Sequence, residues 1–310
     1  MISSFFGKTK PINYIVLAIF LFLFFSIHVF FGLNEQIVSE ILPLELFKYG
    51  VLLLTVYVIN QIVKTEKVTD YNSYGMLFFV LLVIGFSEEL EMGTAIYANF
   101  FLLLALWRLL SLKSIRNVKH KIFDASLLVA IASLFYDWAL LFMVLVFVVI
   151  NMYDRKNFKN WLVPFIGLAT IFMLVFTWLK VMGNLEFFGE HYRFSIGFLN
   201  ATSLADILNV KALFFFVIVL LVAILVFIRL RNVGGGKLLL LRILFLAFIL
   251  GVIMSLMTPV HESPLLITFF PAAVFLVNYF EEIKKTNWQE AILVASTLLA
   301  TLLFIVRHLG

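Results

Sequence analysis

The sequence predicts an all-α polytopic membrane protein, and three observations predict it. Hydrophobic residues make up 64% of the 310 residues and charged residues only 13%, too little polar surface to coat a water-soluble globule. The mean hydropathy is +1.10. The apolar residues gather in ten discrete stretches, most of them near the roughly 20 residues that a helix needs to cross a bilayer. This excludes a soluble enzyme, a disordered chain and a nucleic-acid-binding domain. Residues 1–310 read as one integral membrane domain whose partner is the lipid bilayer, with no nucleic acid. The chain has no Cys, which excludes disulfides, zinc–thiolate sites, iron–sulfur clusters and thiol catalysis.

The stretches run in order over 13–32, 46–63, 74–86, 95–110, 125–150, 161–181, 212–228, 238–257, 265–280 and 291–306. The first follows a basic lead, Lys8 and Lys10, and lacks a small-x-small cleavage site. It is read as a retained span and not a signal peptide. The third is short and is expected to recruit residues 87–90, which brings Glu88 and Glu89 to the membrane surface or into a polar cleft. The fifth is longer than one span needs and carries Asp137 at its middle. A charge at mid-bilayer costs at least about 2.5–3.5 kcal/mol. The stretch is therefore either a single span with a buried acid or a hairpin of two short helices, 122–135 and 138–150, turning at Tyr136-Asp137.

Charge decides between the two. With the N-terminus inside and a hairpin, 18 of the 23 Lys and Arg fall on the cytoplasmic side. Only Lys48, Lys180, Arg193, Lys211 and Arg307 fall outside. A single span leaves 13 inside against 10 outside. The excess of cations in cytoplasmic loops favours the hairpin. It also accounts for the formal charge of +5 without an anionic partner. About nine transmembrane helices plus one short helical hairpin follow, with the hairpin tip lining a cavity, since a non-helical turn at membrane depth must face protein or water. The segment Arg231-Asn-Val-Gly-Gly-Gly-Lys237 lacks the spacing and the Ser or Thr of a phosphate-binding loop and reads as a flexible connector.

The same orientation puts 11 of 18 carboxylates outside, so any chemistry is expected there. The densest group is Ser87-Glu-Glu-Leu-Glu91. Glu88 and Glu91 are three apart, on one helix face, and can hold a divalent cation such as magnesium or manganese through oxygen ligands. The plainer reading is a solvated turn. Glu35 lies just beyond the first span. Asp137, in an apolar stretch, is a functional candidate by its position, or the structural partner of Arg193. His261 and Glu262 form an adjacent pair between two prolines and can supply an acid or base. They do not form a zincin motif. The longest outside loop carries Glu190-His-Tyr-Arg193, and Arg193 suits phosphate recognition. His28, within the first span, reads as a packed polar residue.

Two resemblances rest on these residues. The opening Met-Ile-Ser-Ser-Phe-Phe-Gly-Lys-Thr-Lys-Pro-Ile-Asn, the central Ala132-Ser-Leu-Phe-Tyr136 and the helix 161–167 with Pro164 resemble an uncharacterised family of polytopic inner-membrane proteins from Bacteroidota, over the whole chain. That implies a bacterial inner (cytoplasmic) membrane location, multi-pass, with the N-terminus cytoplasmic. More loosely, an acid after the first span, an acid group after the third, a short hairpin and a later outside loop resemble the plan of GT-C membrane glycosyltransferases, which take sugar from a polyprenyl-linked donor on the outer face. That resemblance maps the catalytic acid to Glu35 or Glu40 and a second acidic motif to Glu88, Glu89 and Glu91. The first loop has no Asp-x-Asp pair.

The functional expectation is an envelope protein that is glycosyltransferase-like, with Glu35, Asp137, His261 and Glu262 as catalytic candidates, Glu88 and Glu91 as metal ligands, and Arg193 facing a donor phosphate. The alternative is a non-catalytic membrane subunit or scaffold of an envelope assembly or secretion complex, its acids contacting other envelope membrane proteins. A transporter is disfavoured by the lack of inverted repeats and of paired broken helices.

The topology has a direct test. Reporter fusions placed after Asn157 and after Arg231 are expected to read cytoplasmic at both sites. An external readout at Asn157 removes the hairpin.

Overall fold

The computed structural model describes residues 2–32, 38–91, 93–194, 196, 209–230, 235–258 and 264–309. Every regular element among them is helical, as a backbone in lipid requires, since a helix closes its hydrogen bonds within itself. The α-helices are α1 (Ile2–Phe6), α2 (Pro11–Gly32), α3 (Val38–Glu66), α4 (Tyr74–Gly85), α5 (Gly93–Leu110), α6 (Val118–Ser133), α7 (Phe142–Tyr153), α8 (Phe158–Met182), α9 (Glu186–His191), α10 (Val210–Leu230), α11 (Gly236–Met257), α12 (Phe269–Glu281) and α13 (Thr286–Leu309). Short 3-10 turns occupy Ser87–Leu90, Ser111–Ser114, Asp137–Leu141 and Leu265–Thr268.

All ten predicted stretches are helical. Seven helices are long and apolar enough to cross a membrane: Pro11–Phe31, Leu42–Glu66, Gly93–Ser114, Phe158–Met182, Val210–Leu230, Gly236–Met257 and Thr286–His308. Three further apolar helical segments are shorter, Tyr74–Gly85, Asp137–Tyr153 and Leu265–Glu281. Where nine crossings and a hairpin were expected, the described residues carry seven helices of spanning length and three short apolar segments. The long stretch 125–150 is broken near its predicted turn. Helix α6 ends at Ser133, Tyr136 is extended at φ −146 and ψ 111, and the Asp137 carboxylate accepts the Trp138 N–H at 2.7 Å. Helices α6 and α7 pack against each other.

The chain forms two compact units. The first comprises Met1–Ile96, Val217–Lys237 and Phe269–Gly310, the second Tyr97–Phe216 and Leu238–Thr268. The first unit is built round α4. Every residue of α4 except Leu82 is buried, and the helix packs against α2, α3, α12 and α13. A helix apolar all round has no solvent face and must sit inside a bundle. Small residues let its neighbours approach: a Cβ on Gly85 would stand 3.7 Å from the Ala300 Cα of α13. The end of α4 near Tyr74 is tied down by polar bonds. The Ser73 N–H donates to the Phe6 carbonyl at 2.9 Å, the Tyr74 hydroxyl to the Ser3 carbonyl at 2.7 Å, and the Asn13 amide to the Ser73 hydroxyl at 2.8 Å. The Glu290 carboxylate accepts the first amides of α1, from Ile2 at 3.1 Å and Ser3 at 3.2 Å. An acid is favourable at a helix start.

The second unit is organised by α6 and α8. Gly167 of α8 faces Ser126 of α6, and a Cβ there would lie 2.3 Å from the Ser126 hydroxyl oxygen. Small residues at a crossing bring helices close enough for dense packing, which in lipid replaces the hydrophobic drive for association. The opposite face of α8 is apolar and open, with Met173 at 70% and Phe165 at 58% exposure, as a lipid-facing helix requires. Helix α8 stops at Gly183, whose φ of 75 lets the Asn184 N–H reach the Leu179 carbonyl at 3.0 Å, a left-handed cap that suits glycine.

Substituting Gly167 with Ala tests the crossing. The new methyl cannot fit without separating α6 from α8, and overpacking of this kind costs about 1–3 kcal/mol. Thermal unfolding of the detergent-solubilised chain should show a lowered midpoint for Gly167→Ala and none for Gly189→Ala, where a Cβ meets nothing within 4 Å.

Candidate functional site

The acidic turn of the first unit begins where α4 ends. Phe86 leaves helical geometry at φ −113 and ψ 53, and the 3-10 turn Ser87–Leu90 follows. The turn buries Glu89 and leaves Glu88 and Glu91 facing Arg307 of α13. The guanidinium stands 3.6 Å from Glu88 through Nη1 and donates from Nη2 to Glu91. A planar guanidinium with five donors is suited to two carboxylates at once.

Beside Arg307, His308 meets His28 of α2, with Nε2 and Nδ1 3.1 Å apart. The His308 Nδ1 is also 3.0 Å from the Phe304 carbonyl. A carbonyl only accepts, so His308 carries its proton on Nδ1, its Nε2 accepts, and His28 Nδ1–H is the donor. His28 is also within electrostatic range of Glu91, Arg307 and Lys48. Lys48 donates to Glu45 at 2.5 Å, with both side chains buried. The Lys48 side chain lies over the start of α5, its Cε 3.0 Å from where a Gly93 Cβ would be. One end of the first unit thus collects three carboxylates that face arginine or lysine, two cations and a histidine pair from α2, α3, the turn and α13.

In the second unit, Asp137 holds a loop. Its Oδ1 accepts the N–H of the next residue, Trp138, and its Oδ2 accepts the Phe194 N–H at 2.9 Å. Arg193 is exposed and makes no ion pair among the described residues, so backbone amides, not Arg193, partner Asp137. The loop is further held by the His191 ring on the Ser133 carbonyl at 2.7 Å and by the Tyr192 hydroxyl on Ser133 Oγ at 3.0 Å. Burial raises the Tyr192 hydroxyl above its ordinary pKa, the Ser133 bond opposes this, and the Asp137 charge adds to it. Aromatic rings surround the loop: Trp138 meets Phe194 edge-on at 5.5 Å, and Tyr192 meets Phe172 at 5.5 Å.

Residues 10–310 match the family described as a family of unknown function, DUF6427. The chain belongs to the DUF6427 family. Neither the comparison with curated proteins nor that with solved structures gives a match.

In this DUF6427 chain the predicted site residues separate. Glu88 and Glu91 meet in the first unit, while Asp137 and Arg193 belong to the second. Glu35, His261 and Glu262 lie outside the described residues, as does the side chain of Glu40. Among the described residues no three His, Asp or Glu side chains converge to hold a metal ion, and the charge of the Glu88–Glu91 pair is met by a guanidinium. Sequence reasoning passed over His308 and named Lys48 and Arg307 only as outside cations, while His28, read as a packed polar residue, is buried. A signal was present, since Lys48 and Arg307 are two of only five cations on the acid-rich side. A cation that breaks the charge bias is a candidate for an ion pair.

A double-mutant cycle on Arg307→Gln and Glu91→Gln should return a coupling of about 0.2–1 kcal/mol, the range for partly exposed pairs. Arg307 is 34% and Glu91 60% exposed, so the lower part of that range is expected. A coupling of zero in thermal unfolding would remove the guanidinium from the account of this end.

Proposed function

We propose that this chain is a multi-pass protein of the bacterial inner membrane, with a cytoplasmic N-terminus, that serves as a non-catalytic subunit or scaffold of an envelope assembly or secretion complex. The end carrying Glu88, Glu91 and Arg307 faces outward and contacts other envelope membrane proteins. One observation carries this reading: Arg307 engages both acids of the turn. A carboxylate pair that holds magnesium or manganese needs its oxygen lone pairs and its charge free for the ion. Here a side chain of the same unit supplies the counter-charge, so the arrangement fits a preformed polar surface better than a reaction centre. The long apolar helices support association with the bilayer.

A specific observation favours a second reading, a GT-C glycosyltransferase-like enzyme using a polyprenyl-linked sugar. Asp137 sits at a helix break beside Trp138, Tyr192 and Phe194, with the exposed Arg193 next to it in the chain. Flat aromatic faces, a carboxylate and a free guanidinium are suitable chemistry for a sugar phosphate. In that reading Asp137 is tied to two backbone amides in the resting state and is freed only if the loop moves.

Neutralising Glu88 and Glu91 together to Gln separates the two. The scaffold reading expects unchanged envelope glycans and the loss of a co-purifying membrane protein. The enzyme reading expects altered glycans with co-purification intact, and Asp137→Asn should reproduce that alteration. Expression and folding should survive, because an exposed ion pair contributes little to stability.

A further inference from the structure

We propose that the groove between the start of α2 and the end of α3 binds the headgroup phosphate of an anionic phospholipid. The groove encloses about 380 Å³ and is lined by Thr9, Lys10, Tyr14, Ile15, Tyr57 and Lys64, among others. Lys10 immediately precedes α2 and Lys64 stands in the last turn of α3. Neither lysine has a carboxylate partner among the described residues. Lys64 is steadied by the face of Tyr71, its ammonium 5.9 Å from the ring centroid, and the Tyr14 and Tyr57 rings form a wall 6.3 Å apart.

The Tyr14 hydroxyl turns to the buried amide of Asn60, and the Thr9 hydroxyl makes no hydrogen bond. Two ammonium groups and the positive start of a long helix ask for one thing, an anion with several acceptor oxygens.

The surroundings make that anion a lipid and not a free ion. Both helices are of spanning length, and the two lysines mark the ends where they leave the apolar region, the level of phospholipid headgroups. From the groove, Ile12, Ile15, Ile19 and Leu23 continue along α2 at helical spacing, all exposed. This apolar track can carry an acyl chain while the phosphate stays at the lysines. On the proposed orientation this end is cytoplasmic, where anionic lipid attracts basic segments.

The test uses the full chain in neutral detergent, titrated by native mass spectrometry with phosphatidylglycerol, with phosphatidylcholine, and with phosphatidylglycerol in the presence of inorganic phosphate. Phosphatidylglycerol should bind at least tenfold more tightly than phosphatidylcholine. Each lysine near a headgroup is worth about fivefold. Lys10→Gln with Lys64→Gln should therefore weaken phosphatidylglycerol about thirtyfold and leave phosphatidylcholine unchanged, while the double Arg variant keeps the preference. If the double Gln variant does not fold, Lys64→Gln alone should lose about fivefold. Equal affinity for the two lipids, or an unaltered Gln variant, overturns the site. Displacement of phosphatidylglycerol by millimolar inorganic phosphate overturns the lipid assignment in favour of a free anion.

Discussion

The near-complete burial of α4 is the constraint on which the first unit depends. Its sequence, Tyr-Gly-Met-Leu-Phe-Phe-Val-Leu-Leu-Val-Ile-Gly, contains no charged side chain. At 12 residues and about 1.5 Å per residue it is roughly 18 Å long, well short of a hydrocarbon core of about 30 Å. Both its ends therefore come to rest among protein, where unpaired backbone groups are costly. At one end Phe6, Ser3, Asn13 and Asn72 satisfy Ser73 and Tyr74. At the other the chain turns at once through Ser87–Leu90, which carries acids where a spanning helix would still be apolar. Acids in that position require a counter-charge, and Arg307 provides it. The ion pair at one end and the polar knot at the other are consequences of one short helix.

The same logic explains which parts of this architecture could be read from sequence. Apolar stretches announce helices because lipid permits little else, and all ten became helical. The break at Asp137 was legible for a related reason: a charge inside an apolar run must be accommodated, and ending a helix there gives it backbone donors. Length was less informative. Whether 74–86 spans or stays inside a bundle depends on its neighbours, and composition carries no record of them. The pairing of Arg307 with Glu91, 216 positions apart, and of His28 with His308, 280 apart, leaves no periodic trace. These contacts are set by which helix ends the bundle brings together. Among the candidate residues, the acids of the turn were legible as a group, but their cation was not.

Asp137 shows how an acid within an apolar stretch can have a structural role without losing its functional interest. Its two oxygens each accept a backbone N–H, so it both starts the turn Asp137–Leu141 and holds the segment leading from α9. The expected partner, Arg193, is left exposed by that choice. Two backbone amides satisfy a carboxylate without a second buried charge to desolvate, the larger penalty in a low-dielectric setting.

The two ends of the first unit differ in a way that bears on how it sits in a membrane. His28, Glu88, Glu91, Arg307 and His308 join one end of α2, the end of α4 and the last turn of α13 in a single polar cluster. The opposite ends of the same helices meet through Glu290 with α1, Glu281 with the Asp70 amide and Asn72, and Arg229 with Glu282. Each of these contacts joins segments that the charge bias assigns to one side of the membrane. The topology was argued from cations alone, in which carboxylates weigh little. These acids, which take no part in that rule, find their partners among segments that it assigns to the same side.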